Sequence, residues 1–270
     1  MRNFYAMTNR LPYEKIDRNQ EIYNKLLNIA SKFIGRIRAE TISKKIGSDT
    51  LRSWFFFALL EQNNWLSGNL TYYEFGVGWG NSLLKEIDAL RSFCKYAKKN
   101  FYDNDIYLFD SFQGLPPKLD LRDDNPEWGY RVFAHGEQEI RELLLKHNVD
   151  LNKGNVHFIK GYYQETLTPE LRKKIKKPSI ITIDVDYYTS TKTVLEWLRP
   201  ILSDGVLFYF DDVWSFHGDP NRGELAAIND FNRLNDGYLI PYHAIGHPSI
   251  WPHIYAYVPA IIAQDYKNHK

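Results

Sequence analysis

From Leu70 onward the chain alternates short apolar, β-rich runs with longer stretches whose apolar residues recur at helical spacing. No other feature restricts the fold as strongly. The β-rich runs are Tyr72–Gly76, Ile106–Asp110, Val156–Gly161, Ile180–Asp184 and Gly205–Asp211. The helical stretches are Asn81–Tyr102, Gln138–Asn148, Pro169–Lys176, Thr191–Leu202 and Glu224–Asn235. Such alternation predicts βαβ units with right-handed crossovers and a mostly parallel sheet covered by helices. The unbroken apolarity of Val206–Phe210 suits a strand buried on both faces. Two last β-like runs, Tyr238–Ala244 and His253–Val258, have no helix between them and are expected as an antiparallel pair at one edge.

Ahead of this pattern the sequence reads as helical. Asn19–Ile34 has helical spacing, and the apolar run Leu51–Leu66 is entered by Ser48, Asp49 and Thr50, which suit an N-cap. We take residues 1–69 as a helical extension or cap and residues 70–270 as the main domain. The aromatic-rich run Leu51–Leu66 can supply the face of a homo-oligomer. At 44% hydrophobic and 25% charged, the chain can bury a sizeable core. Its net charge of +1 gives no field that would draw it to nucleic acid or to a membrane surface. The basic run Lys173–Lys177, ahead of Pro178, reads as a solvated helix end. Met1–Arg10 lacks the apolar run of a signal peptide, and no apolar stretch is long enough to span a bilayer, so a cytoplasmic location is expected. The single cysteine, Cys94, excludes an intramolecular disulfide and a cysteine-rich metal site; it reads as a small buried apolar residue.

In open α/β sheets ligands bind beyond the carboxyl ends of the strands. The first strand leads into Glu74-Phe75-Gly76-Val77-Gly78-Trp79-Gly80-Asn81-Ser82. Its glycines permit a tight turn and close backbone approach by a ligand, and the helix that follows aims free N–H groups into the turn. Asn81 stands where the dinucleotide fingerprint needs its third glycine, so the shorter acidic G-x-G-x-G form, as in S-adenosylmethionine (SAM) loops, fits better. A plain tight turn is the structural alternative. Glu74 needs a polar partner if its strand is buried. Asp110, after the second strand, can accept both hydroxyls of a ribose, whether of SAM or of a nicotinamide cofactor. Glu74, Gly76, Val77, Gly80, Asn81 and Ser82, with Asp110 and Ser111, are the candidate cofactor contacts.

The fourth and fifth strands end in Asp184-Val185-Asp186 and Asp211-Asp212. Neighbouring parallel strands bring Asp184, Asp211 and Asp212 to one spot, where without a cation they would raise one another's pKa values. Ligands offering only oxygen suit a hard divalent cation, taken as Mg²⁺. By strand alternation Asp186 should face elsewhere and support the next helix. A zinc site of His243, His247 and His253 is disfavoured, because Gly246, Pro248 and Pro252 break any common helical face.

In this order the motifs resemble the macrocin and mycinamicin O-methyltransferases. Glu74-Phe75-Gly76-Val77, with Gly80 and Ser82, is similar to that family's E-x-G-V-x-x-G-x-S loop. Asp110-Ser111-Phe112-Gln113-Gly114-Leu115-Pro116 resembles D-[ST]-F-[EQ]-G-L-P, and Gly161-Tyr162-Tyr163 with Thr166-Leu167 resembles the segment after the third strand. Asp184-Val185-Asp186-Tyr187-Tyr188-Thr189-Ser190-Thr191 resembles D-x-D-x-Y-x-S-T, and Asp211-Asp212 falls at the metal-binding pair. The chain departs from the pattern at Val185, where glycine is common, at Thr189, where glutamate is common, and at Trp214-Ser215-Phe216-His217.

The resemblance implies a class I SAM methyltransferase fold, Rossmann-like, with seven mostly parallel strands. It also implies a SAM- and Mg²⁺-dependent O-methyltransferase acting on a hydroxyl of a sugar or other small natural-product or glycan acceptor. Asp184, Asp211 and Asp212 would hold the cation. On chemical grounds Asp184 can serve as general base; His217 is a second candidate, with a solvated surface histidine as its alternative reading. Two other readings remain at this point. One is a nicotinamide-dependent sugar oxidoreductase, which lacks a third glycine and an evident hydride-site pair. The other is a non-catalytic Rossmann-like binding protein, which would have no reason to keep three convergent aspartates.

Overall fold

Seven strands form one sheet in the computed structural model, which describes residues 50–65, 68–243 and 253–260. They are β1 Thr71–Phe75, β2 Asp105–Asp110, β3 Val156–Lys160, β4 Ile180–Ile183, β5 Leu207–Phe210, β6 Gly237–Pro241 and β7 Ile254–Pro259. The order is β3-β2-β1-β4-β5-β7-β6; β1 to β5 are parallel, and β7 runs antiparallel to both β5 and β6. The expected α/β architecture and its antiparallel edge pair are therefore present. The helices are α1 Thr50–Trp65, α2 Asn81–Ala97, α3 Glu137–Lys146, α4 Tyr163–Thr166, α5 Pro169–Lys174, α6 Tyr188–Leu198 and α7 Gly223–Arg233. The expected helix at Asn19–Ile34, and His247 of the histidine group, lie outside the described residues.

The chain winds outward from β1 through β2 to β3, then returns to lay β4 on the other side of β1. That reversal opens a crevice between the carboxyl ends of β1 and β4, where an open α/β sheet binds its ligand. Register carries the geometry further. Ile183 pairs with Phe210, so the residues that follow, Asp184 and Asp211, leave the sheet side by side.

Aromatic side chains hold both faces of the sheet. On one face Phe75 stacks on Phe109 at 4.3 Å between centroids, with Tyr73 and Trp197 of α6 set at steep angles around the pair. On the other, α1 presents Trp54 to Tyr209 at 5.2 Å and the edge of Phe55 to Tyr72 at 4.7 Å. Trp54, Phe55, Phe56 and Leu59 are thus buried within the chain itself, so this part of the Leu51–Leu66 run covers the sheet rather than offering a free face. Cys94 is buried in α2 as expected. The basic end of α5 is solvated, with Lys173 and Lys174 exposed after a Thr168 cap and Pro169. No described helix is long and apolar enough to cross a membrane.

The stacked pair predicts a measurable cost. Phe109→Ala should lower the unfolding free energy by about 3–5 kcal/mol in urea titrations, as expected for a truncated core phenylalanine. A loss well below that range would mean the pair does not hold this face.

Candidate active site

The site begins where two strands almost touch. Gly76, just past β1, has φ of 84°, and a Cβ there would lie 1.7 Å from the carbonyl oxygen of Asp184. Only glycine fits, on conformational and on steric grounds. The N–H of Asp184 donates to Phe75 O at 2.9 Å, which ties the end of β4 to the end of β1. The chain then turns through Val77 and Gly78, and Gly80, at φ 75°, opens α2 without a side-chain cap.

Asp110 organises this loop. Its Oδ2 accepts from the N–H groups of Val77 at 2.7 Å and Gly78 at 3.2 Å, and its Oδ1 accepts from Phe112 N at 2.6 Å. A carboxylate has roughly four acceptor positions, so three are already engaged before any ribose is considered. Ser111 donates to Gly114 O at 2.8 Å and shapes the next turn. Glu74 is 1% exposed, and neither of its oxygens has a hydrogen-bond partner. Burial, followed by the charges of Glu86, Asp184 and Asp110, pushes its carboxyl well above the usual carboxylate range. It lacks the partner that its position in a buried strand demands.

A cavity of about 380 Å³ lies over these loops. Of the candidate cofactor residues, Gly76, Val77, Asn81, Ser82, Asp110 and Ser111 line it, while Glu74 and Gly80 do not. Asp184, Asp186, Asp211 and Asp212 line the same cavity. No lysine, arginine or histidine is among the described residues lining it.

Asp184, Asp211 and Asp212 each offer an oxygen within 4.8 Å of the others, the only such group of three metal-ligating side chains among the described residues. Burial and then the neighbouring Asp211, Asp212 and Asp186 hold the Asp184 carboxyl well above its ordinary value. Burial foremost pushes Asp212 up to about 6, although Ser215 Oγ donates to it at 2.6 Å and works the other way. Two second contacts fix the cluster. Tyr209 Oη donates to Asp211 at 2.9 Å, and the N–H of Asp212 donates to Glu224 Oε2 at 2.8 Å. Glu224 is fully buried, its other oxygen has no partner, and burial raises its pKa strongly. Convergent oxygens of this kind, without a basic neighbour on the cavity wall, suit a hard divalent cation.

Strand alternation misjudges Asp186. β4 ends at Ile183, and Asp186 takes a left-handed φ of 59°, so the alternation that would turn it away no longer applies. It lines the cavity, and burial followed by Asp212 and Asp211 pushes its carboxyl up to about 8. The backbone turn was not visible in the sequence. His217, in contrast, is exposed in the turn after Asp212 and does not line the cavity. Its N–H bonds back to Trp214 O at 2.9 Å, in a tight turn that carries the imidazole to solvent. His253 bonds through Nδ1 with Phe210 O at 2.8 Å and stacks on Tyr209.

The glycine geometry yields a paired test. Gly76→Ala forces a Cβ into backbone, whereas at Gly78 (φ 46°) a Cβ meets open space. Gly78→Ala should cost only left-handed strain of about 1–2 kcal/mol, and Gly76→Ala should lower the thermal unfolding midpoint far more. Equal losses would contradict the close approach of β1 and β4.

Comparison with known proteins agrees with this arrangement. A family profile described as Macrocin-O-methyltransferase (TylF) matches residues 71–236, more than half of the chain. No curated protein matches the sequence. Among solved structures, CalS11, a calicheamicin methyltransferase, is 22% identical with a TM-score of 0.57, over 96% of this chain and 97% of that one. The O-methyltransferase NovP is 23% identical with a TM-score of 0.54, over 77% of each chain. At these identities the likeness establishes the shared fold. The match to the family profile, spanning β1 to the end of α7, establishes that the chain belongs to the macrocin-O-methyltransferase family.

Proposed function

We propose that the protein transfers a methyl group from SAM to a hydroxyl of a sugar or other small natural-product or glycan acceptor, with a divalent cation, Mg²⁺, in the site. One observation carries the reading: the glycine loop and the aspartate cluster line a single cavity. Both implied groups suit the residues present. Glu74 has two buried, partnerless oxygens in the strand that leads into the loop, and although it does not line the cavity, a cation bound nearby would ease the cost of its burial. Three convergent carboxylates offer the oxygen set of a hard cation.

Bound SAM supplies an electrophilic methyl group, and a bound cation supplies a Lewis acid that orients and acidifies an acceptor hydroxyl. The remaining work belongs to the chain. Gly76, Val77, Asn81, Ser82 and Ser111 line the cofactor side, and Asp110 holds the loop rigid through Val77 and Gly78 while keeping one acceptor position for a ribose hydroxyl. Asp184, Asp211 and Asp212 hold the cation, with Tyr209 and Glu224 keeping Asp211 and Asp212 in place. Positioning the acceptor against the methyl group supplies much of the rate enhancement. The hydroxyl proton passes to Asp184 or Asp186, both on the cavity wall, rather than to the solvent-exposed His217.

Two measurements test this. Mg²⁺ should raise the unfolding temperature of the wild type but not of Asp211→Asn, which should still bind SAM while losing methyl transfer. Full activity in excess chelator would overturn the metal assignment. At least one of Asp184→Asn and Asp186→Asn should lower turnover by about 10²–10⁴-fold, the usual worth of a general base, whereas His217→Ala should leave it nearly unchanged. The reverse order would move the proton acceptor to His217.

A further inference from the structure

The segment 111–136, between β2 and α3, lines part of the cavity, and one of its anchors to the rest of the fold is a fully buried carboxylate. Its inner part lines the cavity through Ser111, Gly114, Leu115, Pro116, Trp128 and Phe133. It is closed on itself by two backbone bonds, Leu115 N to Val132 O and Arg131 N to Leu115 O, each 3.0 Å. Its outer turn, Leu121–Asp123, rests against α6. There Asp123, 0% exposed, accepts from Thr189 twice: Oδ1 from the backbone N–H at 3.0 Å and Oδ2 from the hydroxyl at 2.8 Å.

Thr189 is the second residue of α6, whose own N-cap residue, Tyr187, gives no side-chain bond. The first N–H groups of a helix have no partner within it, and a negative charge there is favoured by the helix dipole. Asp123 therefore caps α6 from a distant part of the chain. Around it, Arg122 lies 3.6 Å over the Tyr188 ring, and Arg222 donates to Asp124 O. Trp128 packs against Tyr187 and Phe216. The helix so capped is the one that directly follows Asp184-Val185-Asp186. Thr189 also stands where the family pattern favours glutamate, and a glutamate would set a second carboxylate against Asp123.

We propose that Asp123 is a positioning residue: by capping α6 through Thr189 it holds the 111–136 segment as a roof over the cavity and fixes that roof to the helix behind the Asp184–Asp186 turn. The roof residues line the same cavity as the strand-end aspartates, so the latch sets how long a bound cofactor stays enclosed. The inference rests on the reading that the cavity takes SAM.

The test uses the full chain, Mg²⁺ and S-adenosylhomocysteine as the probe. Thr189→Val removes one donor to a buried carboxylate with little change of shape, and Thr189→Ser restores it. S-adenosylhomocysteine should dissociate about tenfold faster from Thr189→Val in stopped flow, the worth of one hydrogen bond to a charged group. Amide hydrogens of 111–136 should exchange faster in that variant, and Thr189→Ser should return both readouts to wild type. An unchanged dissociation rate in Thr189→Val, whatever its hydrogen exchange, would reduce Asp123 to a surface anchor and overturn the proposal. Absence of binding by the wild type would instead sink the cofactor reading and the latch with it.

Discussion

Carboxyl groups crowd the ends of β1, β4 and β5, and most of the site's construction answers to their mutual repulsion. Asp184, Asp186, Asp211 and Asp212 share one cavity wall, with Glu74, Glu86 and Glu224 buried behind or below. Isolated buried charges are costly, so such groups hold protons or bind a cation. The support around them is of two kinds. Glu86 is satisfied by the hydroxyls of Tyr72 and Thr182, and Glu224 has one oxygen engaged by the N–H of Asp212. Glu74 alone has neither oxygen partnered.

Such crowding opposes folding unless the scaffold is firm. Here it sits at the switch point of a parallel sheet whose faces carry interlocked aromatic rings, Phe75 on Phe109 on one side and Trp54 on Tyr209 on the other. At that junction Gly76 brings the glycine loop within van der Waals reach of the Asp184 backbone. Glycine loop and aspartate cluster are thereby parts of one junction rather than two sites on a common surface.

Much of this was legible in the sequence. Alternating β-rich and helical runs pointed to the parallel strands, though not to their order, and helix-free spacing between Tyr238 and Val258 pointed to the antiparallel edge. The strand-end positions of Asp110, Asp184 and Asp211-Asp212 followed from the same pattern. What escaped was whatever depends on the path of irregular backbone. Asp186 turns into the cavity because of a left-handed residue that no periodicity signals. The bond between Asp123 and Thr189 spans 66 residues and joins a loop to a helix end, a tertiary contact with no local signature. Glu74 was legible as an anomaly, a charge in a buried strand, and the fold turns that anomaly into a pair of partnerless oxygens beneath the cavity.

The central claim is that the cavity above Glu74–Ser82 is a methyl-donor site, and the direct measurement is a calorimetric titration of the wild-type protein with SAM and, separately, with NAD⁺. Saturable binding of one SAM per chain and no heat of binding with NAD⁺ is the predicted result. Binding of NAD⁺ in place of SAM would contradict it.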